Sequence, residues 1–339
     1  MNTPILTIAI PTFNRADYLR LNLHHLAPEV AGLKPGQVEV LVSDNCSDDE
    51  TPEVVAQAIA AGLSIRSIRN SSNIGSDANI AQCFNEASGH YVQIMGDDDL
   101  FLEGQLAKLI HELQQKEYGM VCLRSYGYDN DHIKELPSTQ GGRHEFHDVS
   151  SFLYEIGPLI SFISACVINK RVQKEVDAQV YCGTNLVQIN LVIQAMLLVQ
   201  DNLYLKDYIL ACKRANSGGY DFSEVFVERF FNILDAYIPK GLPAQAVQDL
   251  GRKMLISYYP FSLLRLRLSR QGDLKAIYSR FNARFKGQKL FTLWVAPLIW
   301  LPRPLALLWG GVTVFVGRTI HGDLRRGVYF AVNRWLHRW

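Results

Sequence analysis

The first hundred residues alternate short β-branched, apolar runs with segments whose apolar residues recur at helical spacing, and that alternation restricts the chain to an α/β fold. Residues 5–10 form the first run, which breaks at Pro-Thr-Phe-Asn-Arg (11–15) and gives way to Leu19, Leu23 and Leu26 on one helical face. Residues 38–43 form the second and end in the polar stretch 44–51; Pro52 then opens a helix with Val54, Val55, Ala58 and Ile59 as its buried stripe. Residues 65–68 lead through a polar loop at 70–75 into a third helix over about 77–87, and residues 91–95 form the fourth strand. Strand, helix, strand at this spacing requires right-handed crossovers, which predicts a mostly parallel central sheet with helices on both faces. The loops that follow the strands then open on one edge of that sheet, where such folds hold their ligands.

The fourth strand stops at Gly96 and three consecutive carboxylates, Asp97, Asp98 and Asp99. Adjacent carboxylates repel one another unless a cation bridges them, and hard oxygen ligands suit Mg²⁺ or Mn²⁺. A solvated acidic turn capping a helix that begins near Glu103 is the plainer reading. Convergence favours the first: Asp44, at the end of the second strand, lines the same crevice, with residues 11–15 as its floor. An Asp can read the edge of a nucleobase, Arg15 or Arg69 can contact phosphate or base, and a metal can neutralise a pyrophosphate leaving group. The first turn has no Gly-x-Gly-x-x-Gly and the chain has no Gly-Lys-Ser/Thr loop, which argues against a dinucleotide reductase and a P-loop NTPase.

Four signatures in order resemble those of family 2 glycosyltransferases. They are Pro-Thr-Phe-Asn-Arg at 11–15, Ser-Asp-Asn-Cys-Ser-Asp-Asp-Glu-Thr at 43–51, Asn-Ile-Gly at 73–75 with Asn79, and Gly-Asp-Asp-Asp-Leu at 96–100. The resemblance is specific over residues 5–105 and looser to 214. It implies a GT-A (Rossmann-like) fold, a nucleotide-diphosphate sugar donor, a divalent metal and inversion at the anomeric carbon. By position it places Pro11, Thr12, Asn14, Arg15, Arg69, Asn73 and Asn79 against the donor, with Asp44 as the acid that reads the base. Asp97, Asp98 and Asp99 match the DxD-type element that meets ribose, metal and pyrophosphate. The commoner Asp-x-Asp-Asp form has an acid where this chain has Gly96; matching that form makes Asp98 the leading metal ligand, with Asp99 next. Gly96 to Leu100 and Gly-Thr-Asn at 183–185 are also similar to abequosyltransferase-like members.

Further strands are expected at 119–123, 160–168 and 204–212, with a helix, apolar nearly all round, at 183–199. His132, His144 and His147 fit no common metal spacing and read as a solvated loop. In related transferases a general base often comes from a Glu-Asp pair near the start of such a helix; here Tyr-Cys-Gly-Thr-Asn-Leu at 181–186 carries no carboxylate. Asp177 and Asp221 are the candidate bases. Residues 222–238 and 244–268 have helical apolar spacing and predict an all-helical segment.

Charge is divided unevenly. Residues 280–339 carry ten Lys/Arg and one acid, leaving net −8 on the remainder. Residues 290–301 and 305–317 are apolar runs too short to span a bilayer, all five tryptophans lie between 294 and 339, and a basic amphipathic helix is expected over 323–339. This pattern predicts an anionic membrane surface as partner; a C-terminal core or dimer helix pair is the plainer alternative, and the apolar runs have no role in binding nucleic acid. Six scattered cysteines without metal or redox spacing, and no secretory signal, predict a cytoplasmic protein with free thiols.

The expected organisation is a donor-binding half at 1–118, an acceptor-binding half at 119–214, a helical segment at 215–285 and a membrane-associating region at 286–339. The expected activity is transfer of one sugar to a lipid-linked (polyprenyl diphosphate) saccharide on the cytoplasmic face of a bacterial inner membrane, in O-antigen or capsule assembly, with a homo-oligomer allowed. Two rivals stand beside it. A sugar-nucleotide nucleotidyltransferase needs a Gly-rich first loop, and residues 11–15 have no glycine; a non-catalytic membrane-bound scaffold would have kept the fold without the base.

Overall fold

Four parallel strands carry the first half of the sheet: β1 (Leu6–Thr12), β2 (Val38–Asp44), β3 (Ile65–Arg69) and β4 (Tyr91–Ile94). They lie in the order β3-β2-β1-β4, with Thr12 opposite Asp44 and Ala9 opposite Ile94. β1 is buried on both faces, as its unbroken apolar run requires, whereas edge strand β3 alternates Ile with exposed Arg66 and Arg69. The crossovers are α1 (Ala16–Ala31), α2 (Thr51–Ala60) and α3 (Ser76–Glu86). Leu19, Leu23 and Leu26 of α1 pack on Ile8, Ile10 and Val40 in one core. Successive strands run outward from β1 through β2 to β3, and the chain then returns to β4 on the other side of β1. The strand order therefore reverses between β1 and β4, which opens a crevice beyond their carboxyl ends.

The computed structural model describes residues 3–138, 141–214 and 219–320, and the chain divides into two units, Met1–Gly218 and Gly219–Trp339. The rest of the first unit comprises β5 (Asp99–Phe101), α4 (Gln105–Gln115), β6 (Met120–Tyr128), β7 (Arg143–Phe146), α5 (Val149–Ile156), β8 (Cys166–Asn169), α6 (Val187–Leu198) and β9 (Asn202–Lys213). The sheet continues from β4 through β8, β6 and β9 to β5, with β7 also on β9. Here the ladders are mixed: β6 and β9 are parallel, while the β4–β8, β8–β6, β9–β5 and β9–β7 pairs are antiparallel. Only residues 95–98 join β4 to β5, although three strands separate them in the sheet. Bulges where Leu123, Arg124 and Ser125 face β9 bend that ladder, and β5 pairs with its far end, Leu210 to Cys212.

Two expected elements differ in extent. The strand read at 160–168 is confined to Cys166–Asn169, because residues 157–165 form 3₁₀ turns that begin at Gly157 (φ 56°) and Pro158, which has no N–H for a ladder. The helix read at 183–199 starts at Val187, since Gly183 (φ 89°) and Asn185 (φ 58°) are left-handed.

The second unit is helical. Its helices are α7 (Phe230–Tyr237), α8 (Ala244–Lys253), α9 (Tyr259–Ser269), α10 (Leu274–Phe285), α11 (Ala296–Trp300) and α12 (Arg303–Ile320), with π-helical turns at Glu224–Arg229, Met254–Tyr258 and Phe291–Val295. Phe230, Phe231, Tyr259, Phe281, Phe285 and Phe291 are fully or almost fully buried; the first five interlock edge to face, and Phe291 stacks on Phe281. The apolar run at 290–301 is mostly core: Phe291, Val295, Ala296, Leu298 and Ile299 are buried, and Leu293 and Trp300 are exposed. Trp294 and Trp309 pack on each other rather than forming a belt. Trp335, Trp339 and the amphipathic helix expected at 323–339 lie outside the described residues. No described helix is long and apolar enough to cross a membrane.

Candidate active site

The turn Gly96-Asp97-Asp98 leaves the end of β4 and is closed by Asp99 N–H donating to Gly96 O (3.2 Å). Its carboxylates have separate partners. Thr12 Oγ1, at the end of β1, donates to Asp97 Oδ2 (2.8 Å). Arg15, at the mouth of α1, sets Nε 3.2 Å from Asp97 Oδ1 and Nη2 3.0 Å from Asp98 Oδ2, with its guanidinium over the Tyr18 ring. Asp99 instead starts β5; Ser164 Oγ donates to its Oδ2 (2.5 Å), and the Ser164 Oγ accepts Gly96 N–H (2.9 Å). Asn22 of α1 fastens the turn from below by donating to Asp99 O (2.7 Å). The sequence offered no signal for Ser164 or Asn22; a serine in an apolar run and an asparagine in a helix acquire meaning only through this turn.

Burial decides the electrostatics. Asp97 and Asp99 are both almost inaccessible. Desolvation pushes Asp97 up to about 6 against the pull of Arg15 and the Thr12 hydroxyl. It pushes Asp99 up to about 7, with the Asp98 charge adding to it and hydrogen bonds from Ser164 and Cys212 opposing.

The donor set suits a hard divalent cation that a ligand helps to hold. No group of three or more His, Cys, Asp or Glu among the described residues forms a ready cage. Gly96, however, leaves a space: a Cβ there would lie 2.9 Å from Asp98 Oδ1, 3.1 Å from Asp99 Oδ2 and 3.5 Å from Ser164 Oγ. Two carboxylates and a hydroxyl thus converge on one point, and Mg²⁺ is ordinarily held by one or two carboxylates together with substrate phosphates.

Across the crevice, Asp44 is buried at the end of β2, accepting Ser47 N–H at Oδ1 (2.9 Å) with Arg69 Nε 3.4 Å from Oδ2. Arg69 also donates to Ser47 O (2.7 Å). The loops after β1 and β2 are stitched together: Asn14 (φ 53°) donates its N–H to Ser47 Oγ, Asp48 N–H donates to Asn14 Oδ1, and Ala16 N–H donates to Asp49 Oδ2, each at 2.9 Å. Asn73 Oδ1 accepts from Asn45 Nδ2 (2.9 Å), which ties the loop after β3 to the same group. Pro11, Thr12, Asn14, Arg15, Asp44, Arg69, Asn73 and the aspartates therefore gather at one sheet edge.

Residues 7–164 match the family model described as Glycosyl transferase family 2. This part of the chain is a family 2 glycosyltransferase domain. Among curated relatives, the abequosyltransferase RfbV of Salmonella typhimurium is 29% identical over 196 residues, 53% of this chain and 58% of that protein. The GalNAc(5)-diNAcBac-PP-undecaprenol beta-1,3-glucosyltransferase of Campylobacter jejuni is 28% identical over 113 residues, 33% of this chain and 35% of that one. The chain thus spans less than two thirds of the relatives it matches. The crystal structure of S. aureus TarS 1-349 in complex with UDP-GlcNAc shares the fold, with a TM-score of 0.65 at 15% identity over 94% of this chain and 92% of that one. The domain has the GT-A fold.

Three sequence-derived site residues occupy other places in the glycosyltransferase domain and the second unit. Asn79 is buried, and its amide exchanges hydrogen bonds with Ser43, accepting from Oγ (2.6 Å) and donating to the backbone O (3.0 Å), so it fastens α3 to β2. Asp177 caps a 3₁₀ turn through Gln179 N–H (3.0 Å) and accepts from Asn85 Nδ2 (2.6 Å). Asn85 is in the last turn of α3, the end away from the aspartates, so Asp177 is not in the crevice. Asp221 belongs to the second unit, where Ser223 Oγ, Glu224 N–H and Arg280 take up its carboxylate. The carboxylate that does reach the 183–186 loop is Asp77, from the first turn of α3; its Oδ2 accepts Gly183 N–H (2.8 Å) and Asn185 N–H (2.9 Å).

Proposed function

We propose that this protein transfers one sugar from a nucleotide-diphosphate sugar to a lipid-linked saccharide at an anionic membrane surface, with a divalent metal and inversion at the anomeric carbon. The observation that carries the reading is the meeting of Thr12, Arg15, Asp97 and Asp98 at the switch point between β1 and β4, with Asp44 one strand away. One curated relative supports the acceptor class, since it is named for an undecaprenol-linked substrate, and another, named for abequosyl transfer, supports sugar transfer. The nucleotide sugar bound by TarS supports the donor class. Bacterial O-antigen or capsule assembly, on the cytoplasmic face of the inner membrane, is the setting in which such an acceptor is used.

In this reading Asp44 accepts a hydrogen bond from the nucleobase, with Arg69 holding its second oxygen. Thr12 and Arg15 fix the Asp97 and Asp98 carboxylates, and the Arg15 charge is placed to meet the diphosphate. Asp98, with Asp99 beside it, would hold Mg²⁺ or Mn²⁺, which would supply positive charge to a departing diphosphate. The acceptor hydroxyl loses its proton to a base as the new bond forms on the face opposite the leaving group. Asp98→Ala should abolish transfer and the metal-dependent part of nucleotide affinity while the melting temperature holds. Wild-type nucleotide affinity indifferent to EDTA refutes the metal.

A non-catalytic scaffold is the second reading, favoured by the structural employment of Asp177 and Asp221. Donor turnover by the purified protein excludes it.

A further inference from the structure

Helix α12 is amphipathic in an inverted sense. Its buried stripe is Ala306, Gly310, Thr313 and Gly317, while Leu305, Leu308, Val312 and Phe315 are 53%, 70%, 45% and 59% exposed. The small residues have a packing reason: a Cβ on Gly317 would lie 2.6 Å from Ile256 O, so the helix backbone sits directly on its neighbour. With small side chains on the buried stripe and Trp309 turned to Trp294, Leu305, Leu308, Val312 and Phe315 form an outward row at helical spacing. Exposed Leu293 and Trp300 precede it.

Charge identifies what covers this row. Between Asp273 and Asp323 the sequence has seven Lys/Arg and no acid. Lys286 and Lys289 are exposed, with no acidic partner among the described residues, and exposed Arg303 is held by the carbonyl oxygens of Arg267 and Leu268. A second copy of the chain would bring the same positive charge onto itself across a two-fold contact; an anionic bilayer brings the opposite charge and an apolar interior. The 18 residues of α12 carry Arg303 at one end and Arg318 at the other, which suits a helix lying in the headgroup plane with a positive charge at each end.

We propose that α12 lies along an anionic membrane, with Leu305, Leu308, Val312 and Phe315 seated in the lipid and Lys286, Lys289 and Arg303 at the headgroups. This rests on the membrane acceptor of the proposed function and names the surface that meets the lipid. The test is flotation of the full chain with phosphatidylglycerol-containing and with pure phosphatidylcholine vesicles. Wild type is compared with Leu308→Asp/Phe315→Asp and with Lys286→Glu/Lys289→Glu, each first checked for unchanged melting and nucleotide binding. Wild type should float with the anionic vesicles, and the apolar-face variant should lose partitioning by more than about tenfold. The lysine variant should lose the preference for anionic over neutral lipid. Equal flotation of wild type and apolar-face variant overturns the assignment of α12 and leaves the membrane acceptor standing. Wild type that ignores both vesicles overturns the inference, and transfer to a detergent-solubilised lipid acceptor then tests the functional reading separately. A wild-type dimer in light scattering that the apolar-face variant converts to monomer also overturns it, with a second copy as the occupant.

Discussion

Replacing Ser164 with alanine should loosen the carboxylate turn while leaving Asp97, Asp98 and Asp99 themselves in place. Ser164 is fully buried; its hydroxyl donates to Asp99 Oδ2 and accepts Gly96 N–H. Its loss removes a hydrogen bond to a charged group, worth about 1.5–3 kcal/mol, and orphans a backbone donor at about 1–3 kcal/mol, so about 3 kcal/mol is expected after partial relaxation. For a unit of this size each kcal/mol moves the melting temperature by about 2–4 °C, giving a fall of roughly 6–12 °C. The fall should depend on pH. Burial raises Asp99 to about 7 from the usual 3.8, so the folded state takes up a proton. Its contribution to stability is fully present below about 4 and is lost as pH rises through about 7. The mutant carboxylate is harder still to ionise, which makes the destabilisation larger at pH 8.5 than at pH 5.5. Thermal melts of both proteins at the two pH values, with nucleotide titration, measure this. A mutant that melts within 2 °C of wild type at pH 8.5 would refute the role assigned to Ser164.

Asp44→Asn should weaken nucleotide binding by about 1.5–3 kcal/mol, roughly ten- to a hundredfold, through the loss of a charged acceptor; calorimetry that finds unchanged affinity but slowed turnover of bound donor reassigns the residue. Asp177→Asn should leave turnover within about twofold, because the carboxylate caps a turn beside the far end of α3, and lower the melting temperature through the weakened cap. Steady-state transfer rates check it, and a loss of turnover with an unchanged melting temperature would return Asp177 to the chemistry.

The parallel half of the sheet is legible because β1, β2 and β4 are mainly apolar runs and its strands are bounded by polar loops and alternate with helical periodicity. The same pattern places Arg15, Asp44 and the aspartates at one edge. The mixed half was less legible for physical reasons. β5 is three residues and β7 four, too short to display a period, and β7 reads Arg-His-Glu-Phe, polar because it pairs on one side only. Residues 160–168 are apolar throughout, and their 3₁₀ turns follow from Gly157 and Pro158 rather than from hydrophobicity. Asp177 was proposed for its nearness in sequence to α6; the turns between them carry it to the other end of α3. Asn79 sits in a recognisable motif, yet its amide is spent on Ser43, which shows that a motif position can hold the scaffold of a site rather than its ligand.

Asp97 and Asp98 hang from β4, whereas Asp99 is the first residue of β5 and lies opposite Cys212 of β9. Residues 95–98 thus carry the chain from the parallel half of the sheet to the mixed half. A ligand that displaces β9 must move Asp99, and with it the carboxylates beside it. Under the proposed function, thermodynamic reciprocity then requires that whatever factor an acceptor bound on that side imposes on nucleotide affinity, the nucleotide imposes on acceptor affinity. Order of addition would then leave the ternary complex equally stable by either route, and the two substrates would titrate as a coupled pair rather than as independent guests.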